Sequence, residues 1–236
     1  MAATTRFRHL VQHPLNVFHN LHYVFDLWLQ RWRRRDAKGD VIVVRYADDS
    51  VVGFESEADA SRFLEALKAR FAQFGLSLNE QKTHVLQFGR YAASQRKRAG
   101  LGRPQTFDLL GFTHICATKR SNGRFTVKRL TSSKRMRATL KALRQALYRR
   151  RHEPIALVGT WLRRVMQGYF NYHAVPGNNE RLSRFRSGVC RAWLHALRRR
   201  GQYGRMPWAR FLKRVAPYVP SVHVLHPYPT QRFFAS

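Results

Sequence analysis

The chain contains 236 residues, of which 44% are hydrophobic and 13% aromatic, and this composition excludes a disordered chain as the default interpretation. Its 44 Lys and Arg residues against 13 Asp and Glu residues give a net charge of +31, which predicts a polyanionic partner such as the phosphate backbone of a nucleic acid. No apolar run approaches the roughly 20 residues of a membrane span, and Cys116 and Cys190 lack the paired spacing of a zinc site. We therefore expect a cytoplasmic protein with no membrane partner.

The first part of the chain carries a helix pattern followed by two strand patterns. Residues 15–35 show apolar side chains at helical spacing and end in a basic run, so a helix is predicted there. Two short apolar runs at 41–45 and 51–54 bracket a tight polar connection. This arrangement is the pattern of a β-hairpin.

A second helix is predicted directly after the hairpin. Ser56 is followed three residues later by Asp59, which is a signature of a helix start, and apolar residues then recur at helical spacing until Gly75. Further strands are expected at 84–88, 109–115 and 125–128, the first two separated by a basic loop. The order strand, strand, helix, strand, strand indicates an α+β fold rather than a doubly wound one.

The back half of the chain is basic and helical. Beyond Phe112 the sequence contains only two acidic residues, Glu153 and Glu180, while Lys and Arg continue to the end. Helices are predicted at 131–151, from Pro154 to about residue 172, after the Pro176-Gly177 turn, and after Pro207. These patterns divide the chain into an α+β part at residues 1–130, an all-α basic bundle at 131–216 and an irregular tail at 217–236.

Two adjacent carboxylates, Asp48 and Asp49, lie at the bend of the predicted hairpin. They repel each other, whereas a divalent cation neutralises both and readily takes hard oxygen ligands, which makes Mg²⁺ the natural guest. In two-metal phosphoryl transfer, ions about 4 Å apart activate the attacking hydroxyl and stabilise the leaving oxygen. The alternative is that an Asp-Asp pair simply suits a turn.

Four ordered blocks of sequence resemble one family of enzymes. Residues 41–50, Val-Ile-Val-Val-Arg-Tyr-Ala-Asp-Asp-Ser, resemble the metal-binding strand-turn-strand of reverse transcriptases. Residues 75–83 are similar to the next block of the group II intron reverse transcriptases, and residues 107–114 to their primer-grip block. Residues 168–172, Gly-Tyr-Phe-Asn-Tyr, together with Asn178, resemble the maturase-specific thumb domain. The chain thus resembles the group II intron reverse transcriptase/maturase family.

This resemblance implies a fold, an activity and a set of site residues. It implies a right-hand polymerase palm fragment, a hairpin-bearing antiparallel sheet with packed helices, followed by an all-α basic thumb. It also implies an RNA-directed DNA polymerase/maturase in which Asp48 and Asp49 are metal ligands and Lys82 neutralises or protonates departing pyrophosphate. The residues expected beside the primer and the nascent base pair are Tyr46, Ala47, Leu110, Gly111 and Phe112.

Basic and aromatic residues of the helical bundle are the candidates for RNA binding, through phosphate contacts and base stacking. They are Lys134, Arg135, Arg137, Lys141, Arg144, Arg163, Arg164, Tyr169 and Tyr172. Tyr169 and Phe170 are adjacent on one helix, so one of the two is expected in the core. The implied partners are group II intron RNA, a DNA primer or target, and a deoxynucleotide once the site is complemented.

The block that carries the third metal-binding aspartate in this family has no match, and Asp26 belongs to the preceding helix. We therefore expect an incomplete Mg²⁺ site in a truncated or decayed copy, or in one half of a split enzyme, with a dimer partner or an N-terminal half as a further partner. The alternative function is a catalytically inactive splicing cofactor or relic that binds intron RNA. A nucleotidyl cyclase or nuclease would leave the basic bundle unexplained.

Overall fold

The computed structural model describes residues 2–8, 21–200 and 206–227, the first of these ranges through its backbone. The fold is mixed α/β and forms two compact units. The first unit comprises Met1–Leu110 with His114–Val127, and the second comprises Gly111–Thr113 with Lys128–Ser236. Each unit has a hydrophobic core of its own. Among the described residues, no helix combines the length and apolarity needed to cross a bilayer.

The first unit contains a five-stranded antiparallel sheet. Its strands are β1 (Ala2–Arg8), β2 (Val41–Tyr46), β3 (Asp49–Phe54), β4 (Ser77–Leu78) and β5 (His84–Leu86). They are ordered β2-β3-β1-β4, and β5 pairs with β1. The sequence predicts the β2–β3 hairpin and the strand at β5 but not β1 or β4. Strand β1 is central because it links the hairpin to both later strands.

Helices cover one face of the hairpin. A π-helical turn (His22–Leu27) continues into α1 (Trp28–Arg35), which confirms the first predicted helix from residue 21 onward, while its predicted start at 15–20 lies outside the described residues. Val52 and Phe54 of β3 are buried against this helix and α2 (Glu57–Ala72). Trp32 and Phe63 meet at the centre of that core, with ring centroids 5.0 Å apart.

The predicted start of α2 is confirmed. The Ser56 hydroxyl accepts a hydrogen bond of 3.1 Å from the backbone N–H of Asp59 and so caps the helix. The predicted end at Gly75 is wrong because the helix stops at Ala72. Phe74, which the helical spacing places in the core, is 50% exposed and lies under the guanidinium of Arg70.

The predicted strand at 109–115 is confirmed from Phe112 onward, but its start is wrong because the chain turns at Leu110 and Gly111. Strands β6 (Phe107–Leu109) and β7 (Phe112–Thr118) flank a two-residue turn, and β8 (Phe125–Thr131) completes a three-stranded sheet in the order β6-β7-β8. Leu110 and Gly111, the two turn residues, have φ angles of 49° and 81°. Positive φ at both positions is the requirement of a type I′ hairpin turn. The loop before β6 contains a short helix, α3 (Ala92–Arg98), which was also not predicted.

The helices predicted for the back half are confirmed. They are α4 (Ser133–Arg149), α5 (Ile155–His173), α6 (Asn179–Arg198) and α7 (Trp208–Val215), followed by a 3₁₀ turn at Ala216–Tyr218. The predicted apolar stripe of α6 is buried along its whole length, from Leu182 to Leu197. Trp193 of this stripe meets Phe211 of α7 edge to face. The described residues beyond the 3₁₀ turn are irregular, as expected for the tail.

A buried asparagine joins three parts of the second unit. The side-chain oxygen of Asn178 accepts a hydrogen bond of 2.9 Å from the Thr131 backbone N–H, and its amide nitrogen donates to the Thr131 hydroxyl (2.7 Å) and the His173 carbonyl (2.8 Å). Asn178 is fully buried. It therefore connects the end of β8, the end of α5 and the start of α6 through one side chain.

Replacing this side chain should destabilise the protein. We expect Asn178→Ala to lower the free energy of unfolding by about 2–3 kcal/mol, because the Thr131 N–H and the His173 carbonyl would stay buried without this partner. Asn171→Ala is the matched control, since Asn171 is exposed on α5, and it should change stability by less than about 0.5 kcal/mol. Urea unfolding followed by circular dichroism measures both, and equal small effects would contradict this role of Asn178.

Candidate functional site

The Asp48-Asp49 pair lies at a two-residue hairpin turn. Tyr46 of β2 pairs with Asp49 of β3, so Ala47 and Asp48 are the central residues of the turn. Ala47 has a φ of 53°, a conformation that a non-glycine residue rarely adopts. Asp48 is exposed in the turn, and Asp49 begins the strand. Residues directly opposite in an antiparallel pair share a face of the sheet, so Asp49 shares the solvent face with Tyr46, which is 66% exposed.

An ion pair holds the turn from the opposite face of the sheet. The Nε of Arg45 donates a hydrogen bond of 2.7 Å to one oxygen of Asp26, and its Nη2 donates to the other oxygen at 2.5 Å. The Nη1 of the same guanidinium donates to the backbone carbonyl of Ala47 at 2.9 Å. Arg45 therefore connects the π-helical turn to the strained residue of the hairpin. The bidentate geometry fixes the orientation of the guanidinium.

This positioning role was not predicted, although the sequence contains a signal for it. Arg45 alternates with Val41 and Val43 and so lies on the face of β2 that packs against the core. A charged residue at such a position requires a partner of opposite charge. The sequence does not say which acid provides it, because Asp26 is separated from Arg45 by the whole of α1.

The structure brings Asp49 and Lys82 to one cleft. The cleft has a volume of about 280 Å³ and lies within the first unit. Its lining residues come from β3, from the segment between β4 and β5, from β5 and from β6, and include Asp49, Lys82, His84, Asp108 and Leu109. The sequence predicted Asp49 and Lys82 as site residues. Asp108 and His84 are additions that only the pairing of distant strands reveals.

A magnesium site is implied by the Asp-Asp pair, and the described residues fit it only in part. Asp48 and Asp49 supply two carboxylates, adjacent in sequence, at the turn of the hairpin. In the part of the chain that the structure describes, no group of three His, Cys, Asp or Glu side chains is arranged to hold a metal ion. The Asp26 carboxylate is engaged by Arg45. The two aspartates therefore offer part of a ligand set.

The three residues of the predicted primer grip differ in their environment, because two of them form a turn and the third is buried. Leu110 and Gly111 form the β6–β7 turn, and a Cβ on Gly111 would lie 3.3 Å from Cδ of Arg135, so the backbone is closely approached there. Phe112 is buried in the second unit, where its ring stacks on Tyr172 at 5.7 Å and meets His173 edge to face at 5.1 Å. Phe112 thus has a packing role.

The predicted RNA-binding residues are mostly on the surface of the second unit. Those that are exposed are Lys134, Arg135, Arg137, Lys141, Arg144, Arg163, Arg164 and Tyr172. Lys134, Arg137, Lys141 and Arg144 recur at intervals of three and four along α4 and therefore share one face of this helix.

Tyr169 differs from the other candidates because its ring stacks on Phe185, with centroids 3.6 Å apart. Burial raises the pKa of Tyr169 to about 12, and Phe170 beside it is also in the core. Tyr169 and Phe170 therefore both pack on the core, whereas the sequence predicted that only one of them would do so. Burial also lowers the pKa of His173 to about 4, with Arg135 contributing in the same direction. Tyr172 remains the exposed aromatic residue of this group.

Residues 16–114 match the family model described as reverse transcriptase (RNA-dependent DNA polymerase). The matched segment contains α1, the hairpin with Asp48 and Asp49, and the strands that line the cleft. A comparison with curated proteins found no significant match. The family match therefore bears on the first unit.

The ion pair behind the turn can be tested with a double-mutant cycle. We expect Asp26→Asn and Arg45→Gln each to lower the free energy of unfolding by about 1–3 kcal/mol, with a coupling of about 1–2 kcal/mol, because the pair is partly buried and bidentate. The Glu65–Lys68 pair on α2 is the control, since both side chains are at least half exposed, and its coupling should be at most about 0.5 kcal/mol. Equal coupling in the two cycles would show that the Arg45 contact is an ordinary surface pair.

Proposed function

We propose that this chain is part of an RNA-directed DNA polymerase of the group II intron maturase type, which binds intron RNA and contributes Asp48 and Asp49 to a two-metal nucleotidyl-transfer site. The observation that carries the proposal is the hairpin itself. It presents Asp48 in a turn and Asp49 in a cleft with Lys82, inside the segment that matches the reverse transcriptase model.

The residues of the first unit would act on a primer and an incoming nucleotide. Asp48 and Asp49 would hold Mg²⁺, which when bound supplies electrostatic stabilisation of phosphoryl transfer. Lys82 carries a positive charge in the same cleft as Asp49, where it would neutralise or protonate the departing pyrophosphate. Tyr46 is exposed beside Asp49 and would contact the primer terminus. Arg45 would position the turn through its bond to the Ala47 carbonyl.

The helical unit would hold the RNA. Four cations share one face of α4, and Tyr172 is exposed at the end of α5. Lys and Arg bind phosphates without regard to sequence, and an exposed aromatic ring can stack on an unpaired base. Because Glu153 and Glu180 are the only acids beyond Phe112, little negative charge in this part of the chain opposes the approach of a polyanion.

A second chain would complete the polymerase in this proposal. Ile42 and Val44 are 70% and 49% exposed along one face of β2, which lies at the edge of the sheet of described strands. An exposed apolar row of this kind supports docking of another chain, either a second copy or a complementary polymerase fragment.

The alternative function is RNA binding without polymerisation, as in a splicing cofactor. Among the described residues, Asp48 and Asp49 offer only part of a metal ligand set, which supports this alternative, and the basic helical unit is equally compatible with it. The two functions differ in whether Asp48 and Asp49 are needed for a reaction on the bound nucleic acid.

Primer extension separates the two functions. We expect no detectable extension of a DNA primer on an RNA template by this chain alone, because two carboxylates hold Mg²⁺ weakly. Adding a homologous finger and early-palm fragment should restore extension, and Asp48→Asn or Asp49→Asn should then reduce the rate at least a hundredfold. Asp40→Asn is the matched control, since Asp40 is an exposed acid before β2, and it should leave the rate unchanged.

The other outcomes decide between the functions. Extension that survives both aspartate substitutions would place the chemistry elsewhere and overturn the proposal. No extension in any mixture, with RNA binding intact, would favour the splicing-cofactor alternative. A readout besides activity is Mg²⁺ binding to the complemented protein by calorimetry, which Asp49→Asn should weaken.

RNA binding should depend steeply on salt. Each neutralised phosphate releases counterions, so replacing Lys134, Lys141 and Arg144 together by alanine should reduce the slope of log K against log salt by about 2 to 3. Replacing Arg33, Arg34 and Arg35 of α1 removes the same charge and serves as the control. Filter binding with a structured RNA measures both variants, and identical slopes would remove the α4 face from the RNA interface.

A further inference from the structure

We propose that the first unit contains a second nucleic-acid site. This site is a basic cleft that binds the phosphodiester backbone of a nucleic-acid strand, and its residues lie far from the aspartate turn in the sequence. The proposal deepens the proposed function, on which it rests for the identity of the polyanion. The cleft has a volume of about 830 Å³ and is lined by the start of α3, the end of β7, the β7–β8 turn and the start of β8.

The charges around this cleft have one sign. Arg90, Lys119 and Arg124 line it and are exposed. None of the described residues that line it is acidic. By contrast, the cleft near the hairpin is lined by the two acids Asp49 and Asp108 as well as by Lys82. A polyanion entering the basic cleft therefore meets three cations and, among the described lining residues, no carboxylate, which favours phosphate over a neutral or cationic ligand.

The backbone gives the cleft a defined shape. The Gly89 N–H donates to the Cys116 sulfur at 3.3 Å and ties the segment before α3 to β7. In the β7–β8 turn, the Lys119 N–H donates to the Arg124 carbonyl at 2.8 Å, and the Gly123 N–H donates to the Lys119 carbonyl at 2.9 Å. These bonds hold the backbone of Lys119 and Arg124 on the two arms of one turn.

A strand fits this cleft better than an isolated phosphate does. Arginine donates in a planar fork that matches phosphate oxygens, and two of the three cations are arginines. Pro104 and Phe125 add partly buried apolar surface to the lining, which suits a sugar or a base next to the phosphates. The segment that follows Arg90 continues the positive charge with Arg96, Lys97, Arg98 and Arg103. Several phosphates in a row would use this continuation, whereas a single anion would not.

The two cysteines of the chain make the cleft measurable. Both are free thiols; Cys116 lines the cleft and is partly exposed, and Cys190 is buried in the core of the second unit. A maleimide reagent should therefore label Cys116 in the folded chain and leave Cys190 unlabelled. An RNA strand bound in the cleft would cover Cys116. We expect saturating single-stranded RNA to slow labelling of Cys116 at least tenfold at low salt.

Charge removal tests the contacts. The variant Arg90→Ala, Lys119→Ala, Arg124→Ala should lose the protection of Cys116 and reduce the salt slope of RNA binding by about 2, from three single-strand phosphate contacts. The control variant Arg33→Ala, Arg34→Ala, Arg35→Ala removes equal charge from α1 and should keep the protection. Slow labelling of Cys190 in both variants checks that they are folded.

RNA that binds the full chain without protecting Cys116 overturns the cleft and leaves the proposed function intact, whereas no RNA binding even at low salt overturns the RNA-binding part of both. Equal loss of protection in the two charge variants shows general electrostatics and overturns the cleft. Protection by inorganic phosphate alone indicates a small-anion site, and protection by polyglutamate equal to that by RNA indicates an acidic protein partner. Either result overturns the strand proposal.

Discussion

The scarcity of carboxylates constrains how this chain can fold. With 44 Lys and Arg residues against 13 Asp and Glu residues, most cations have no acid to pair with. The few acids with structural roles therefore have several partners each. Asp59 accepts hydrogen bonds from the backbone N–H groups of Lys38 and Gly39 while it pairs with Arg62, whose hydrogen bond is the main reason that the pKa of Asp59 is lowered. Asp26 similarly binds Arg45 and lies 3.3 Å from His22.

Where acids are missing, guanidinium groups bind backbone carbonyls instead. In the second unit this arrangement ties the tail to the helices, because Arg163 donates to the Pro217 carbonyl and Arg186 to the Pro220 carbonyl. Arg200 likewise donates to the Glu153 carbonyl at the connection between α4 and α5. At the candidate site Arg45 also binds a carbonyl, that of Ala47, but there the guanidinium is paired with Asp26 as well. A carbonyl satisfies the donor without cancelling the charge, so the surface keeps its attraction for phosphates.

The sequence predicted those elements whose signal is local and strong. The α6 stripe repeats over five apolar residues, the α2 start has a capping residue at the right interval, and the hairpin strands are almost wholly apolar. It failed where the determining interaction is distant or unusual. Strand β1 has little alternation of its own and depends on pairing with β3 and β5. The β6–β7 turn was missed because Leu110 occupies a positive-φ position that leucine rarely takes.

The same distinction applies to the candidate site. Asp48, Asp49 and Lys82 were recognised from short blocks of sequence, and two of them line one cleft in the structure. The contribution of Asp108 to that cleft comes from the β6 strand, and neither spacing nor composition connects it to the hairpin. The choice of Asp26 as the partner of Arg45 is also out of reach of sequence patterns, because it depends on where a helix residue lies relative to a strand.

The uncancelled charge of the guanidinium–carbonyl contacts gives ionic strength two opposite effects on this protein. Added salt screens the mutual repulsion of the cations and so favours the compact state, and the same screening weakens the hold on a polyanion. A ligand that binds only the folded state stabilises it by mass action. In dilute buffer, bound nucleic acid would then contribute part of the thermal stability of the protein. In concentrated salt, screening by the ions would contribute instead. A melting temperature of this protein is therefore meaningful only together with the salt concentration and with the nucleic-acid content of the preparation, which its ultraviolet absorbance reports.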